Sequence, residues 1–362
     1  MGYFTSIKLK NFRNLNQKSF EFSNNSNVFF GKNGSGKTNL LEAISLSVKG
    51  RGIRKDNIQN FIEKEKSFFS NTATFFDNDI TYQIKTFSET VDNKIKKKIL
   101  LNDDFSRESS LKIESLITFL VYLPENERLF LASPRTRRDF IDHFISTSNY
   151  SYNKLINFYK KNINERNLLL NDGIQDETWL SKIEENIAIS GKKIYNFRND
   201  QLICFRQNLE IIKQYLKLPY KLEIKTNDLY YQKKIEINEY QKLLKQNRHI
   251  DKLIGGSKIG PHKTDYIFYI DNNFLASQLS TGQQKTLVLL LYLSQCNYLV
   301  NNCNLKPILL LDEICSHLDE LNRKILMNIV SEFDVQIFMT GTSKDLFSFL
   351  STNTKFCNIS NK

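Results

Sequence analysis

No apolar run in this chain of 362 residues approaches the ~18 residues needed to cross a bilayer. A chain without a membrane-spanning helix and without a membrane partner is therefore expected. The opening stretch, MGYFTSIKLKNFRNL, lacks the apolar core of a secretory signal. Cysteine is sparse: Cys204, Cys296, Cys303, Cys315 and Cys357 are the whole set. None forms a CxxC pair and their number is odd, so neither a disulfide framework nor a zinc site follows. A reducing compartment is implied, and the expected location is cytoplasmic. Internal repeats, low-complexity linkers, zinc-finger spacings and recognition-helix patterns are also missing, so base-specific DNA reading is not indicated.

What is present is a substantial core and an excess of positive charge. Hydrophobic residues make up 40% of the chain and aromatics 12%, which excludes intrinsic disorder as the default. Lys and Arg total 51 against 39 Asp and Glu, a net charge of +12. That excess suits a polyanionic partner such as nucleic acid. It equally suits a Lys-rich surface with no dedicated partner.

Three blocks follow one another. In the first, Ile7, Leu9 and Phe12 open a hairpin that Phe20 and Phe22 complete. NVFF at 27–30 is a short strand before a Gly-rich turn, and 39–48 has the apolar spacing of a helix. Residues 72–102 alternate as antiparallel strands do, and ITFLVYL at 117–123 reads as a buried strand ended by Pro124. The second block is polar, basic and helical in period over 148–172 and 177–216, broken by NDG at 171–173. Trp179, Ile183, Ile187, Ile194 and Phe197 recur at steps of three, four or seven, which predicts a helical hairpin too irregular for a long coiled-coil rod. The third block begins after Gly255-Gly256 with the strand YIFYI at 266–270. An apolar helix follows, then the strand ILLL at 308–311, a helix near 320–332 and the strand VQIFM at 335–339. That order implies a parallel sheet covered by helices.

Residues 31–38, GKNGSGKT, match G-x-x-x-x-G-K-[ST]. Gly31, Gly34 and Gly36 let the backbone turn its N–H groups inward, with Lys32, Asn33 and Ser35 contributing theirs. The following helix adds its positive end. Lys37 is placed to reach the β- and γ-phosphates of ATP, and the Thr38 hydroxyl to ligate Mg²⁺. ILLLDE at 308–313 sets two carboxylates at the end of a buried strand, where ligands of open α/β sheets bind. Asp312 is the candidate second contact to Mg²⁺, and Glu313 the candidate base that polarises the attacking water.

LSTGQQK at 279–285 is a second phosphate-facing helix start, with Ser280 in the N-cap position and Gly282 allowing close approach. Leu279, Ser280, Gly282 and Gln283 make the chain resemble the ATP-binding-cassette ATPases. The resemblance implies that this motif contacts the γ-phosphate held by a second copy's Gly-rich loop. It also implies that Asp319, in SHLD at 316–319, lies at the dimer seam. TGTSKD at 340–345 offers no switch His of the kind transport ATPases carry, leaving Thr340 or Thr342 as the candidate there.

The basic helical block that splits the two motif halves resembles the SMC-like branch. LKNFRNL at 9–15, GKNGSGKTNLLEAI at 31–44, PENERLFLASPRTRRDFID at 124–142, GPHKTD at 260–265 and LLLDEICSHLDELNR at 309–323 resemble the bacterial RecF family over nearly the whole chain. Lys263 stands where that family usually has Arg, which keeps the charge and loses the bidentate fork.

The resemblance implies an α/β fold: a P-loop ATPase head of ABC/SMC type, with an antiparallel β subdomain and an inserted α-helical arm. The expected divisions are 1–120 and 251–362 for the head and 121–250 for the arm. It implies an ATP-driven homodimer that binds single-stranded and gapped duplex DNA, hydrolyses ATP slowly as a DNA-dependent switch, and helps place RecA with RecO and RecR. Repair, replication-fork maintenance and SOS induction are the expected settings. Lys8, Lys10, Arg51, Arg54, Lys55, Arg135, Arg137 and Arg138 are the candidate DNA contacts, supplying salt-sensitive contacts to phosphate. Arg137 and Arg138 equally suit packing within the helical block. Arg13 is a candidate for the nucleotide side. The alternatives are the ATPase subunit of a membrane transporter, another SMC-like DNA-processing ATPase, or a DNA-binding scaffold with a decayed nucleotide site. The long split and GPHKTD weigh against the first, and the intact Lys37, Thr38, Asp312, Glu313 and Ser280 against the last.

Overall fold

The structure, a computed structural model, describes residues 2–92, 94–172, 176–216, 221–232, 235–271, 274–315 and 319–359. Gly173 of the NDG break and residues 316–318 of SHLD lie outside them.

The chain opens with β1 (Tyr3–Lys10), β2 (Lys18–Glu21) and β3 (Ser26–Phe30), and the Gly-rich turn then leads into α1 (Lys37–Ser45). This helix starts two residues before the apolar spacing does, because Gly36 in the left-handed region supplies its N-cap. Next come β4 (Ser70–Asp77), β5 (Ile80–Val91), β6 (Lys94–Leu101), α2 (Arg107–Leu116) and β7 (Phe119–Tyr122). The helical block holds α3 (Pro134–Ser148), α4 (Tyr152–Asn171), α5 (Glu177–Leu216), β8 (Leu222–Asn227), α6 (Leu229–Gln232), α7 (Ile237–Gln246) and α8 (Arg248–Ile254). The last part holds β9 (Asp265–Ile270), β10 (Phe274–Leu275), α9 (Thr281–Asn301), β11 (Ile308–Leu311), α10 (Glu320–Glu332), β12 (Ile337–Gly341) and β13 (Lys355–Asn358).

These elements form two compact units: residues 1–127 with 296–362, and residues 128–295. The first contains two sheets. One is antiparallel, in the order β2-β1-β4-β5-β6. The other is parallel, in the order β13-β3-β12-β11-β7. Phe4, Phe12, Phe20, Phe29, Phe61, Phe69, Phe75 and Phe338 are buried in one core with Leu40, Leu41 and Ile44 of α1. Gln336 ties the sheets together: its amide accepts the Phe4 N–H at 2.8 Å and donates to the Phe4 carbonyl at 2.7 Å. Each of these partners is buried, so the amide satisfies groups that water cannot reach.

The second unit is the helical block plus a small antiparallel sheet, β10-β9-β8. Residues 251–295, expected with the head, fall in this unit. The reason is pairing: YIFYI lies in β9 against β8, with Leu222 opposite Ile270 and Asn227 opposite Asp265. The boundary at 295/296 falls inside α9. Ile183, Ile187 and Ile194 of α5 are buried as their spacing predicts, while Trp179 is exposed at its start.

GPHKTD is the polar hub of this unit. The Tyr159 hydroxyl lies 2.7 Å from His262 Nδ1, and His262 Nε2 lies 2.9 Å from the Ser257 carbonyl. Nε2 therefore carries the proton and Nδ1 accepts from the phenol. Arg198 donates to the Pro261 carbonyl at 2.5 Å and grips both carboxylate oxygens of Asp142 at 2.8 and 2.9 Å. Gly260 sits at φ +127°, and a Cβ there would collide with the Tyr240 and Tyr159 hydroxyls. Only glycine fits both the backbone and the space.

The His262 pKa is lowered to about 4, first by burial and then by the nearby Lys263, Arg138 and Arg198, against the Ser257 hydrogen bond. Unfolded histidine titrates near 6.5, so between the two values the unfolded chain binds the extra proton. Stability of this unit is thus complete above about pH 6.5 and falls as pH drops toward 4. From pH 7 to pH 5 the loss is expected to be about 2 kcal/mol. Urea unfolding of wild type and His262→Gln at both pH values checks it. A loss of the same size in the variant would assign the effect to other groups.

Candidate nucleotide site

The parallel sheet brings the two ATPase motifs to one edge. The loop 31–36 leaves the C-terminal end of β3, and Asp312 follows the C-terminal end of β11. β12 lies between those strands, with Met339 beside Leu311 and Thr340 beside Phe29. Three strand ends therefore converge, as expected where ligands bind open α/β sheets.

Within the loop, Gly36 has φ +107°, and a Cβ there would come within 2.8 Å of Leu15 Cδ2 and 2.9 Å of Asn14 Oδ1. The Lys37 ammonium donates to the carbonyls of Gly31 at 2.8 Å and Lys32 at 3.0 Å. Burial lowers its pKa, and the carboxylates of Glu313 and Asp312 oppose that shift. An anionic phosphate beside Lys37 would further favour its charged form.

The Thr38 hydroxyl is 3.0 Å from both carboxylate oxygens of Asp312. Asp312 Oδ1 also accepts the Thr340 hydroxyl at 2.7 Å, and that hydroxyl accepts the Glu313 N–H at 2.8 Å. Thr340 is fully buried, so one side chain fixes both acids. Of the two threonines expected here, Thr340 is the one joined to them, and Thr342 is exposed. Glu313 is exposed, and its backbone sits at φ +50°. A non-glycine residue rarely holds that conformation, and such outliers cluster at functional sites.

Arg13, expected near the nucleotide, is turned to other partners. Its guanidinium lies 3.0 Å from buried Glu42, 3.1 Å from Asp56 and 5.1 Å from the centre of the Phe61 ring. The buried Glu42 carboxylate has a raised pKa, caused first by desolvation and opposed by Arg13. Losing either partner would leave an unpaired charge inside. Arg13 is linked to the loop by a relay: it donates to Asn39 at 3.4 Å, Asn39 to Asn14 at 2.8 Å, and Asn14 to the Gly34 carbonyl at 3.1 Å. Sequence reasoning missed Asn14, Asn39 and Glu42. Asn14 adjoins Arg13 within LKNFRNL, but nothing in the local pattern says that its amide reaches Gly34.

The signature segment belongs to the second unit. Ser280, Thr281, Gly282 and Gln283 are exposed, and burial begins at Gln284. The Ser280 N–H and hydroxyl donate to Gln283 Oε1 at 3.1 and 3.0 Å, while the Gln283 N–H donates to the Ser280 hydroxyl at 3.4 Å. This reciprocal S-x-x-Q arrangement caps the helix start. Asp319 is exposed and caps α10, accepting the Asn322 N–H at 2.8 Å.

The candidate DNA contacts separate into two groups. Lys8 and Lys10 are exposed on alternate positions of β1, and Arg51, Arg54, Lys55 and Arg135 are exposed as well. Arg137 and Arg138 differ in having partners within the fold. Arg137 grips both oxygens of Asp265 at 2.8 and 2.9 Å, and Arg138 donates to the Thr264 carbonyl at 2.6 Å. Both are only partly exposed and tie α3 to the start of β9. The Arg137 fork is filled by a carboxylate and has few donors left for phosphate.

The description RecF/RecN/SMC N terminal domain matches residues 3–362 of the chain. The chain is 30% identical to the DNA replication and repair protein RecF of Rickettsia typhi, over 94% of each. It is equally similar to the protein of that name from Rickettsia prowazekii, at 30% over 94% of each. Among solved structures, the recombination mediator protein RecF with ATPrS superposes with a TM-score of 0.83, at 25% identity, covering 99% of this chain and 97% of that one. RecF with ATP gives 0.79 at 27%, covering 95% and 94%. An SMC head bound to a domain of ScpA is alike in fold, with a TM-score of 0.55 at 15% identity over 97% of this chain and 95% of that one.

Proposed function

This chain belongs to the RecF family, in the SMC-like branch of ATP-binding-cassette ATPases, and from that premise we propose an ATP-switched DNA-binding protein of recombinational repair and replication. Two copies close on ATP, each presenting Ser280, Gly282 and Gln283 to the γ-phosphate on the other's loop, with Asp319 at the seam. The closed dimer holds gapped duplex or single-strand junctions through exposed Lys8, Lys10, Arg51 and Arg54. Slow hydrolysis releases it. With RecO and RecR it helps load RecA, which connects it to fork maintenance and SOS induction.

The observation that carries this reading is the Thr38–Asp312 contact at the strand ends, 3.0 Å long and braced by Thr340. A hydroxyl and a carboxylate are hard oxygen donors. Mg²⁺ usually takes one or two protein oxygens and keeps several waters, so Thr38 and Asp312 suit it. When bound, Mg-ATP supplies the phosphoanhydride bond and neutralises charge on the phosphate oxygens. The chain's own residues do the rest. Loop N–H groups bind phosphate, Lys37 orients the terminal phosphates, and Glu313 accepts the proton of the attacking water. Thr340 keeps Asp312 and Glu313 aligned.

The test is fluorescence anisotropy on gapped duplex, in ATP, ADP and no nucleotide, for wild type and Ser280→Arg. Binding should be at least roughly 10-fold tighter with ATP, and the variant should lose that gain. Ser280 is exposed, so the substitution costs the cap, about 1 kcal/mol, and not the core. Binding indifferent to nucleotide and to the substitution would overturn the cross-subunit account. So would a Glu313→Gln protein that stays monomeric in saturating Mg-ATP.

A further inference from the structure

The second unit contains a cleft that the ATPase reading leaves unused. It has a volume of about 320 Å³ and lies between α5 and the segment carrying α6 and the start of α7. Lys192, Tyr195, Asn196 and Asn199 line one side, and Tyr231 and Ile235 the other. That volume is near the lower end of small-ligand sites, which run about 300–1,000 Å³. We propose that this cleft takes a single unpaired nucleobase.

The argument rests on the chemistry of the walls. The Tyr195 and Tyr231 rings lie 5.8 Å apart, their planes inclined at 42°. They give flat apolar surfaces on which a planar ring can rest. Two of the polar residues beside them are neutral. Asn196 and Asn199 carry amides, and the Asn199 carbonyl is taken by the Tyr231 hydroxyl, which leaves its N–H donors. Neutral donors and acceptors beside aromatic faces match the edge of a nucleobase.

The charged groups do not favour a charged occupant. Asp228, behind Tyr195, accepts the Tyr195 hydroxyl at 2.8 Å, the Thr264 hydroxyl at 2.5 Å and the N–H groups of Tyr230 and Tyr231 at 2.9 and 3.1 Å. Those four donors occupy both of its oxygens. Lys192 pairs with Glu236 at 3.2 Å and donates to the Ile235 carbonyl at 3.1 Å. A purely aliphatic occupant would leave the amide N–H groups of Asn196 and Asn199 unmatched, which costs more than a missing apolar contact.

The back wall connects the cleft to GPHKTD. Tyr240 lines the cleft, and its hydroxyl is 3.3 Å from that of Tyr159, which binds His262. Thr264 reaches the cleft through Asp228. The motif thus holds a rigid floor beneath the tyrosines, as a preformed site requires.

This inference rests on the DNA-binding reading where the base comes from a strand. A free nucleoside offers the same ring, so the experiment separates the two sources. Anisotropy is measured on wild type, Ile235→Trp, which fills the cleft, and Asn196→Leu, at an exposed position that does not endanger folding. The probes are a single-stranded 12-mer, the same strand with abasic sites, and a blunt duplex. Saturation-transfer NMR with adenosine and thymidine is the fourth arm.

Ile235→Trp is expected to weaken single-strand binding about 10-fold, the scale of one base–aromatic stack. Asn196→Leu is expected to weaken it less, and neither variant should change duplex binding. On the abasic strand all three proteins should bind alike. Nucleoside signals that vanish in Ile235→Trp while strand binding is unmoved would keep the cleft and assign it to free nucleosides. Equal strand binding by all three proteins with no nucleoside signal overturns the proposal. So does an equal loss on abasic and normal strands. An effect of Ile235→Trp on a protein partner alone would also overturn it. The duplex arm reports on the DNA-binding reading itself, so failure of that reading is seen separately.

Discussion

Lys37→Met is expected to reduce ATP turnover by at least about 100-fold, the scale seen when one preorganised donor is removed from a developing charge. The Lys37 side chain is almost wholly buried and its ammonium is held by the Gly31 and Lys32 carbonyls. Its charge also stands beside Asp312 and Glu313. Methionine keeps the length and removes the charge. Two carboxylates then face the phosphates without the ammonium that stood beside them, so both binding and hydrolysis suffer. Phosphate release measured beside ATP titration calorimetry separates the two losses. Turnover within a few-fold of wild type would mean that Lys37 does not act on phosphate.

Arg166→Ala should produce the largest loss of stability, about 3–5 kcal/mol. Its guanidinium is fully buried and meets Glu184 at 2.9 Å, Asp251 at 2.7 Å and the Leu244 carbonyl at 2.7 Å. One side chain of α4 thereby joins α5, α7 and α8. Removing it leaves buried Asp251 without a cation and Glu184 with one arginine in place of two. Arg248 still reaches Glu184 at 2.9 and 2.7 Å, but Asp251 keeps only backbone support from the Lys258 N–H at 2.8 Å. Arg166→Lys keeps the charge without the fork and should fall between the two. The check is the urea midpoint followed by far-ultraviolet circular dichroism, which reports the helices. A shift corresponding to less than about 0.5 kcal/mol would place the unit's stability in its apolar core alone.

Much of this was legible in the sequence, because local rules fixed it. GKNGSGKT, ILLLDE and LSTGQQK each combine a strand or helix end with a fixed set of residue types, and each lies where its pattern places it. The apolar periods of α1 and α5, and the alternation of β4 and β5, follow from burying one face, while α9 is apolar throughout because residues 284–296 are all buried. The capping role of Ser280 was readable because Gln283 is three residues away and the cap is a local bond.

Contacts distant in sequence were decided by tertiary structure alone. Thr340 binds Asp312 and Glu313 because β12 inserts between β3 and β11, and strand order is not a local property. Arg13 faces Glu42 and Asp56, and Arg137 faces Asp265, since an arginine's partner is whichever carboxylate the fold delivers. From sequence both look like free positive charge. The placement of residues 251–295 with the helical unit turns on β9 pairing with β8, across about forty residues of intervening chain. The tyrosine cleft depends on α5 meeting α6 and α7, and no spacing within any of these helices announces it. Sequence by itself determined the chemistry at each strand and helix end. Only the fold decided which charges remain free to meet phosphate, because pairing depends on distance in space and the chain records distance along itself.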